Sequence, residues 1–423
     1  MARLSMPALP PALPMPTDTV RLIAHLDMDA FYASVELLRY PELAGRAVVI
    51  GGGRRHQPVE TVDPVTGSRT RTFSTLRGYV GRGVITTATY EARKFGLHSA
   101  MGLMKAAQLA PDTVLLPTDF DAYRRYSRLF KAAVRSIAPL IQDNGIDEIY
   151  IDLTDVRPPT AESEVGEPVG DPWWRAGAVA QSIREAVRAS TGLTCSIGVA
   201  PNKLLAKMAS ELDKPDGLTL LRIEDVPRRI WPLPPRKING IGPKSSARLE
   251  ALGIRTIGEL AAVDPVWLIE HFGRAHGAWM HEVAQGRDDR VVLTELEPKS
   301  ISRETTFDRD LSAQRDRAEL SAIFTALCEG VAGDLRRKGY VGKTIGLKLR
   351  YDNFKTVTRD KTIERATDDA AVIRRAAGEC LKRVPLDRRI RLLGVRAGAL
   401  SPADALAQPS RSAPEAPSLF DEG

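Results

Sequence analysis

Two groups of carboxylates stand out in the 423-residue sequence because each lies next to an apolar run. Asp27 and Asp29 follow the run that begins at Ile23, and Asp147 and Glu148 stand where a turn leads into a second run. Unpaired carboxylates at the edge of a core are costly, so such acids need cations. For any single aspartate the simpler explanation is a turn cap or an ion pair with arginine.

Three carboxylates from the ends of neighbouring strands would suit Mg²⁺, which prefers oxygen ligands and keeps positions open for phosphate and water. Two such ions ~3.5–4 Å apart would clamp the attacking and leaving oxygens of a phosphoryl transfer. The pattern therefore predicts phosphoryl-transfer chemistry, provided that the two segments lie side by side.

The elements that must position these acids alternate between strand and helix. The segments VRLIAHLD, DEIYIDLTD and LTCSIGVA predict strands, and FYASVELL, NKLLAKMASEL and residues 173–190 predict helices. This order indicates a mixed α/β sheet covered by helices. The stretch 54–82 has no periodicity and is expected to be a long surface loop or insertion. After Pro235 short helices follow, and a separate α+β module begins at Ile301.

Charge and composition limit the class of protein. The formal net charge is +7, yet residues 296–400 alone carry 23 Lys and Arg against 15 Asp and Glu. A basic module on a near-neutral body favours a polyanionic partner, although a solvated charged surface would look the same. Three cysteines without metal or redox spacing fit a reducing cytoplasm. No apolar run approaches the length of a membrane span, so no membrane partner is expected.

Several motifs together resemble those of the Y-family (translesion) DNA polymerases, most closely the bacterial DinB type. They are LDMDAFYASVE, ATYEARKFG, DEIYIDLTD, SIGVAPNKLLAKMASELDKPDG and INGIGPKSSARLEALGI, in that order. The resemblance implies a right-hand polymerase with a mixed-sheet palm, small fingers, a helical thumb with a helix-hairpin-helix, and an α+β little finger. The implied bounds are a disordered leader 1–19, palm 20–30 and 117–222, fingers 31–116 with the insertion 54–82, thumb 223–290, linker 291–300, little finger 301–400 and a disordered tail 401–423.

By position in these motifs, Asp27, Asp147 and Glu148 match the catalytic metal ligands of the family, with the Met28 carbonyl as a backbone ligand. The resemblance implies two Mg²⁺ ions per active site. Asp29 is interpreted as structural. The family usually has Ser before the aliphatic residue that precedes the acidic pair, and here Gly145 stands there, which would loosen the turn.

The resemblance also implies contacts to the incoming dNTP. Tyr32 matches the steric gate, a ring that would clash with a ribose 2′-OH, and Phe31 packs beside it; ordinary core packing is the alternative for this pair. Tyr90 and Arg93 share a helix face, Thr87 precedes that helix, and Lys214 stands before Pro215; all four match triphosphate contacts. Thr89 replaces the usual Asn before Tyr90.

Primer–template DNA is the implied macromolecular partner. Gly240 and Gly242 would permit a hairpin whose amides face a phosphate. In the segment KTIGLKLRYD apolar residues alternate with Lys348 and Arg350, which predicts a strand with one apolar and one basic face, and Lys355, Arg359 and Lys361 follow on the next strand. The cationic face of this little-finger sheet would track the DNA backbone. At the C-terminus Leu419 and Phe420 resemble a sliding-clamp-binding peptide, although Ala416 replaces its usual Gln. We expect a monomer.

The function predicted from these residues is template-directed, low-fidelity DNA synthesis without proofreading, acting in translesion synthesis and damage tolerance. Two alternatives stay open at this point. One is another two-metal enzyme such as a nucleotidyl cyclase, which would have no need of a duplex grip. The other is a non-catalytic DNA-binding adaptor, against which the intact carboxylates argue.

Overall fold

The computed structural model of the protein describes residues 20–53, 56–158 and 171–406. The chain forms two compact units that meet in sequence between Leu296 and Glu297. The predicted leader and the C-terminal Leu419–Phe420 peptide lie outside the described residues. Among the helices described, none combines the length and the apolar character that crossing a membrane requires.

The first unit contains ten strands and ten α-helices in its described residues. Its strands are β1 (Ile23–Met28), β2 (Val48–Gly51), β3 (Val59–Val62), β4 (Arg69–Thr72), β5 (Ile85–Ala88), β6 (Val114–Leu116), β7 (Ile141–Asp143), β8 (Glu148–Asp152), β9 (Cys195–Ala200) and β10 (Leu218–Leu220). Its helices are α1 (Phe31–Arg39), α2 (Tyr90–Arg93), α3 (Leu103–Leu109), α4 (Phe120–Arg135), α5 (Pro172–Thr191), α6 (Lys203–Ser210), α7 (Pro243–Ala251), α8 (Ile257–Ala261), α9 (Pro265–Phe272) and α10 (Arg274–Ala284).

A five-stranded mixed sheet in the order β10-β9-β1-β8-β7 forms the centre of this unit. Strand β1 runs antiparallel to both of its neighbours. Because side chains alternate along a strand, Leu22, Ala24 and Leu26 pack into the core formed with α4 and α5. The opposite face carries Ile23, His25 and Asp27, and α6 covers its apolar end. The sheet therefore presents Asp27 on the α6 side.

A smaller three-stranded sheet, in the order β5-β2-β6, carries α2 and α3 on a core of its own. The predicted loop between 54 and 82 contains the antiparallel hairpin β3–β4, in which all eight strand residues are exposed. Helices α7 to α10 form a further apolar cluster together with α6. Neither β5 nor the hairpin was predicted, since each strand has four residues and little alternation.

The second unit contains β11 (Ser300–Leu311), α11 (Arg317–Lys338), β12 (Tyr340–Tyr351), β13 (Thr356–Thr367), α12 (Ala370–Leu381) and β14 (Ile390–Pro402). The four strands form one antiparallel sheet in the order β11-β14-β12-β13. The predicted alternation of β12 is present, because Ile345, Leu347 and Leu349 are buried in the core with α11 and α12.

Two cationic residues of β13 lie on the other face of the sheet from the one predicted. Arg359 and Lys361 were expected on the same cationic face as Lys348, but their register partners are Leu347 and Ile345. They therefore lie on the helix side of the edge strand β13, where Lys361 forms an ion pair with Glu379 of α12. Long side chains reach the solvent from that edge while their stems cover the core.

Candidate active site

The two acidic segments lie side by side in the central sheet. Asp27, near the end of β1, is the register partner of Glu148, the first residue of β8. The Met28 amide donates a hydrogen bond to the Asp147 carbonyl at 3.0 Å, so all three acids reach the same end of the sheet. Burial, followed by repulsion from Asp27, raises the pKa of Asp147, and burial also raises that of Asp27. The negative charges of Asp27 and Glu148 thus both act on Asp147.

Two lysines partner these acids. Lys214 donates to Asp27 Oδ1 at 2.6 Å and lies 2.8 Å from Glu211. Burial acts to lower the pKa of Lys214, but the Asp27 charge and the hydrogen bond to it outweigh burial and keep the pKa above its usual value. Lys214 is one of the residues that match triphosphate contacts of the family, and in the structure its ammonium group contacts Asp27.

The second lysine, Lys207, was not predicted as a site residue. It extends from α6 and donates to Glu148, and His25 Nε2 lies 3.2 Å from the same carboxylate. Burial by itself would raise the pKa of Glu148, but the hydrogen bonds from His25 and Lys207 hold it at about 2. A sequence signal existed for His25, because it stands two residues before Asp27 and so shares its face of the strand.

The turn that precedes the acidic pair is held by helix α4. Gly145 has φ 153°, a backbone conformation that favours glycine over the serine usual in the family. Lys131 Nζ donates to the Gly145 carbonyl at 2.7 Å, and Ser127 donates to the carbonyl of Ile146. Lys131 is buried and also lies 3.4 Å from Asp143. These contacts clamp the turn that the glycine was expected to loosen.

Asp29 points into the protein and not toward the other acids. Its side chain is 2% exposed and accepts hydrogen bonds from Ser196 Oγ and the Asp216 amide, both at 2.8 Å. Tyr90 also donates to it at 3.4 Å. These partners satisfy the carboxylate, and they join the β1 terminus to β9, to the turn after Lys214 and to α2.

An aromatic cluster flanks the carboxylates. Tyr32 is half-buried and stacks on Tyr123, with ring centroids 4.3 Å apart and an interplanar angle of 22°. Burial raises the pKa of Tyr32, and the nearby charge of Asp147 raises it further, so the phenol lies near that carboxylate. Phe31 is only 2% exposed and packs against Phe130, which leaves it the role of supporting Tyr32 from the core.

Three of the four predicted triphosphate contacts lie on β5 and α2. The guanidinium of Arg93 is exposed and stacks over the Tyr90 ring at 4.6 Å. Thr87 lies within β5, opposite Ile50, and not directly at the start of the helix. Thr89 caps α2 instead: its Oγ1 accepts from the Ala92 amide at 3.4 Å. The substitution of Asn by Thr at this position therefore preserves a helix cap.

The donor set fits a divalent cation. Asp27 and Glu148 lie on adjacent strands and Asp147 directly precedes β8. Burial raises the pKa of Asp27 and of Asp147, so a cation bound beside them would stabilise their charged forms. Within the residues that the structure describes, no group of three or more acidic, histidine or cysteine side chains is already arranged to hold a metal ion. Two of the carboxylates contact ammonium groups, which are exchangeable partners of a carboxylate.

The residues predicted to hold DNA differ in their surroundings. Gly240 has φ 110°, and a Cβ there would meet the Trp279 ring at 2.6 Å, so this position requires glycine. A Cβ on Gly242 would meet nothing within 4 Å. On the second unit, Lys348 forms an ion pair with Glu304 at 2.7 Å, while Lys355 is exposed in the β12–β13 turn. Arg350 donates to Thr356 at 2.9 Å.

Comparison with known proteins gives consistent matches along the chain. Residues 26–211 match the profile of the impB/mucB/samB family, residues 298–410 match the C-terminal domain of that family, and residues 224–254 match the HHH motif of the IMS family. A DNA polymerase IV of Methanoculleus marisnigri is 39% identical over 376 residues, covering 89% of this chain and 93% of the relative. A DNA polymerase IV of Streptomyces coelicolor is 37% identical, covering 90% of this chain and 72% of that protein.

A solved Y-family DNA polymerase chimera shares the fold, with a TM-score of 0.70 and 24% identity over 89% of this chain and 98% of its own. The fold and the carboxylate site define a multidomain polymerase with a palm, thumb and little finger, which confirms the predicted fold class. The chain belongs to the impB/mucB/samB family and, with its DNA polymerase IV relatives, to the DinB type of Y-family DNA polymerases.

Family membership confirms the sequence-based assignment as a DNA-directed DNA polymerase and leaves the cyclase alternative without support. It also implies dependence on a divalent metal and binding of DNA and deoxynucleoside triphosphates.

Proposed function

We propose that this protein extends a DNA primer on a template strand, at low fidelity and without proofreading, in translesion synthesis and damage tolerance. The observation that carries the proposal is the meeting of Asp27, Asp147 and Glu148 at one end of the central sheet, faced by Lys207 and Lys214. An adaptor without catalysis would gain nothing from three acids gathered at one end of the sheet, where burial raises the pKa of two of them.

Asp27, Asp147 and Glu148, with the Met28 carbonyl, would hold two Mg²⁺ ions. When bound, these ions would activate the primer 3′-OH and stabilise the pyrophosphate leaving group. The protein contributes placement, because β1 and β8 fix the acids in register and the α4 clamp fixes the turn before Asp147. Lys214 and Lys207 must release Asp27 and Glu148 for the carboxylates to take the cations.

The nucleotide would lie between the central sheet and the small sheet. Tyr32 excludes ribose by its ring, supported by Phe31. Arg93 grips phosphate oxygens with its planar guanidinium while Tyr90 donates one hydrogen bond, and Thr87 lies on the adjoining strand. Once released from Asp27, Lys214 would bind the triphosphate through its ammonium group.

DNA would be held by the hairpin around Gly240 and Gly242 through backbone amides, and by Lys348, Arg350 and Lys355 of the second unit. We propose a palm at 20–30 and 117–222, fingers at 31–116, a thumb at 223–290, a linker at 291–300 and a little finger at 301–400. The peptide at Leu419 and Phe420 would bind a sliding clamp, and we propose a monomer acting in the cytoplasm.

Primer extension tests the proposal. The wild-type protein with primed template, dNTPs and Mg²⁺ should extend the primer, and the Asp147→Ala, Glu148→Ala double variant should not. Asp152→Asn is the matched control, because Asp152 is the last residue of β8, at the opposite end of the strand from Glu148. This variant should leave extension unchanged. Mn²⁺ binding followed by electron paramagnetic resonance should show fewer bound ions in the double variant alone.

The outcomes separate the alternatives. Equal extension by the wild-type protein and the double variant would refute the assignment of the carboxylates. Extension by neither protein, with primed DNA still bound, would favour the adaptor.

A further inference from the structure

A buried pair, Tyr123 of α4 and Glu36 of α1, has no role in the proposed chemistry. Tyr123 is fully buried, and its hydroxyl donates to Glu36 Oε1 at 2.7 Å. Glu36 is itself 2% exposed, and burial raises its pKa although the hydrogen bond from Tyr123 opposes the shift. A carboxyl group so deep in a core costs stability unless its interactions are well satisfied. Two apolar residues would fill the same space, so the pair invites a functional explanation.

The same tyrosine ring determines where Tyr32 lies. Tyr32 and Tyr123 are nearly parallel, with centroids 4.3 Å apart. Phe120 closes the arrangement by meeting Tyr32 edge-on at 5.9 Å and Tyr123 edge-on at 5.7 Å. Tyr32 is thus stacked on a ring whose far end is fixed by the hydrogen bond to Glu36.

Steric exclusion of one hydroxyl group depends on small displacements. A gap of ~0.5–1 Å already forfeits a quarter to a half of a van der Waals contact, so a ring that shifts by this distance no longer makes a firm wall. Removal of Tyr123 would leave space on the α4 side of Tyr32, into which the gate ring could tilt away from the sugar.

We propose that Tyr123 is a positioning residue for sugar discrimination, and that Glu36 fixes Tyr123 through its hydroxyl. Neither residue touches the nucleotide; both act through the placement of Tyr32. This inference rests on the proposed role of Tyr32 as the steric gate. A purely structural role for the pair would instead reduce the use of deoxyribonucleotides and ribonucleotides equally.

The test is the ratio of kcat/KM for a ribonucleotide to kcat/KM for the matching deoxyribonucleotide, measured with the full-length protein on one primed template. Tyr123→Leu should raise this ratio about tenfold, the factor that corresponds to the upper range of one aromatic contact. Tyr123→Phe and Glu36→Gln keep the stacked ring but weaken its anchor, so each should raise the ratio about two- to threefold. Tyr126→Phe is the control, because Tyr126 lies on the same helix and packs on the same core.

Tyr32→Ala, measured in parallel, separates this inference from the gate itself. If Tyr32→Ala raises the ratio but all three variants of the pair keep the wild-type value, the positioning role is refuted and the gate stands. If Tyr32→Ala also leaves the ratio unchanged, the gate assignment fails and the inference with it. Should Tyr123→Leu fail to fold, Tyr123→Phe and Glu36→Gln decide the matter, since both leave the core volume almost unchanged.

Discussion

The clamp of α4 on the acidic turn gives the sharpest prediction, because one substitution removes it without changing a site carboxylate. Lys131→Met deletes the hydrogen bond from Nζ to the Gly145 carbonyl and the ion pair with Asp143, and keeps an unbranched side chain of similar length. A hydrogen bond from a charged, buried group contributes about 1.5–3 kcal/mol, so we expect a loss of about 2 kcal/mol. For a unit of this size that lowers Tm by about 4 °C.

Activity should fall as well, because the released turn leads directly into Asp147. A displacement of ~1 Å at a reacting centre costs up to about a hundredfold in rate, so we expect kcat for dNTP incorporation to drop at least about tenfold. Arg135→Met is the matched control. Arg135 lies one turn further along α4, is exposed, and reaches the same Asp143 at only 3.9 Å. An exposed pair contributes about 0–1 kcal/mol, so its loss should change neither quantity appreciably.

Single-turnover extension and thermal unfolding, measured on both variants, decide between explanations. A lower Tm with unchanged kcat in Lys131→Met would show that the clamp stabilises the fold without placing the acids. Equal losses in the two variants would show that the positive charge of α4 matters and the buried hydrogen bond does not.

Two other substitutions test the thumb and the little finger. Gly240→Ala should destabilise the thumb by about 2 kcal/mol because of the positive φ at this position, with a further cost from the contact of the new Cβ with Trp279. Gly242→Ala should be tolerated, because a Cβ there meets nothing within 4 Å. Urea unfolding followed by tryptophan fluorescence measures both variants, and equal unfolding midpoints would contradict this explanation. Arg303 holds the pKa of Asp334 at about 2, below its unfolded value of about 4, so the stability that this pair adds is present above pH ~4 and is lost as the pH falls through ~2. Hydrogen exchange in α11 should therefore be faster in Asp334→Asn than in the wild type at pH 7 and nearly equal to it near pH 2; a difference that persists at low pH would refute the ion pair as its source.

Long, strongly patterned elements could be predicted from the sequence. The apolar run of β1, the alternation of β12 and the helical pattern of α6 are local signals, and these elements lie where they were expected. Strands of three residues, such as β7 and β10, carry too few positions for a pattern and exist because a neighbouring strand offers hydrogen bonds. Their absence from the prediction follows from tertiary pairing outweighing local preference.

The candidate site divides in the same way. The carboxylates could be found because acids at strand ends are unusual, whereas Lys131 and Lys207 look like ordinary solvated residues of amphipathic helices. Their roles depend on which carbonyl or carboxylate the fold brings near, at separations of 14 residues from Gly145 and 59 from Glu148. Arg359 and Lys361 were assigned to the wrong face of the sheet, although a sequence signal was available. They alternate with Thr358 and Asp360, and this alternation could have placed them on the helix side.

The exposed hairpin β3–β4 has a practical consequence. No side chain between residues 57 and 72 belongs to an apolar core, and the hairpin meets the body of the protein through Arg71, which pairs with Glu42 at 3.2 Å. Its tip is a self-contained turn in which Asp63 accepts from the amides of Val65 and Thr66. A fluorophore attached at that tip would label the protein at an exposed site while leaving the folded interior undisturbed.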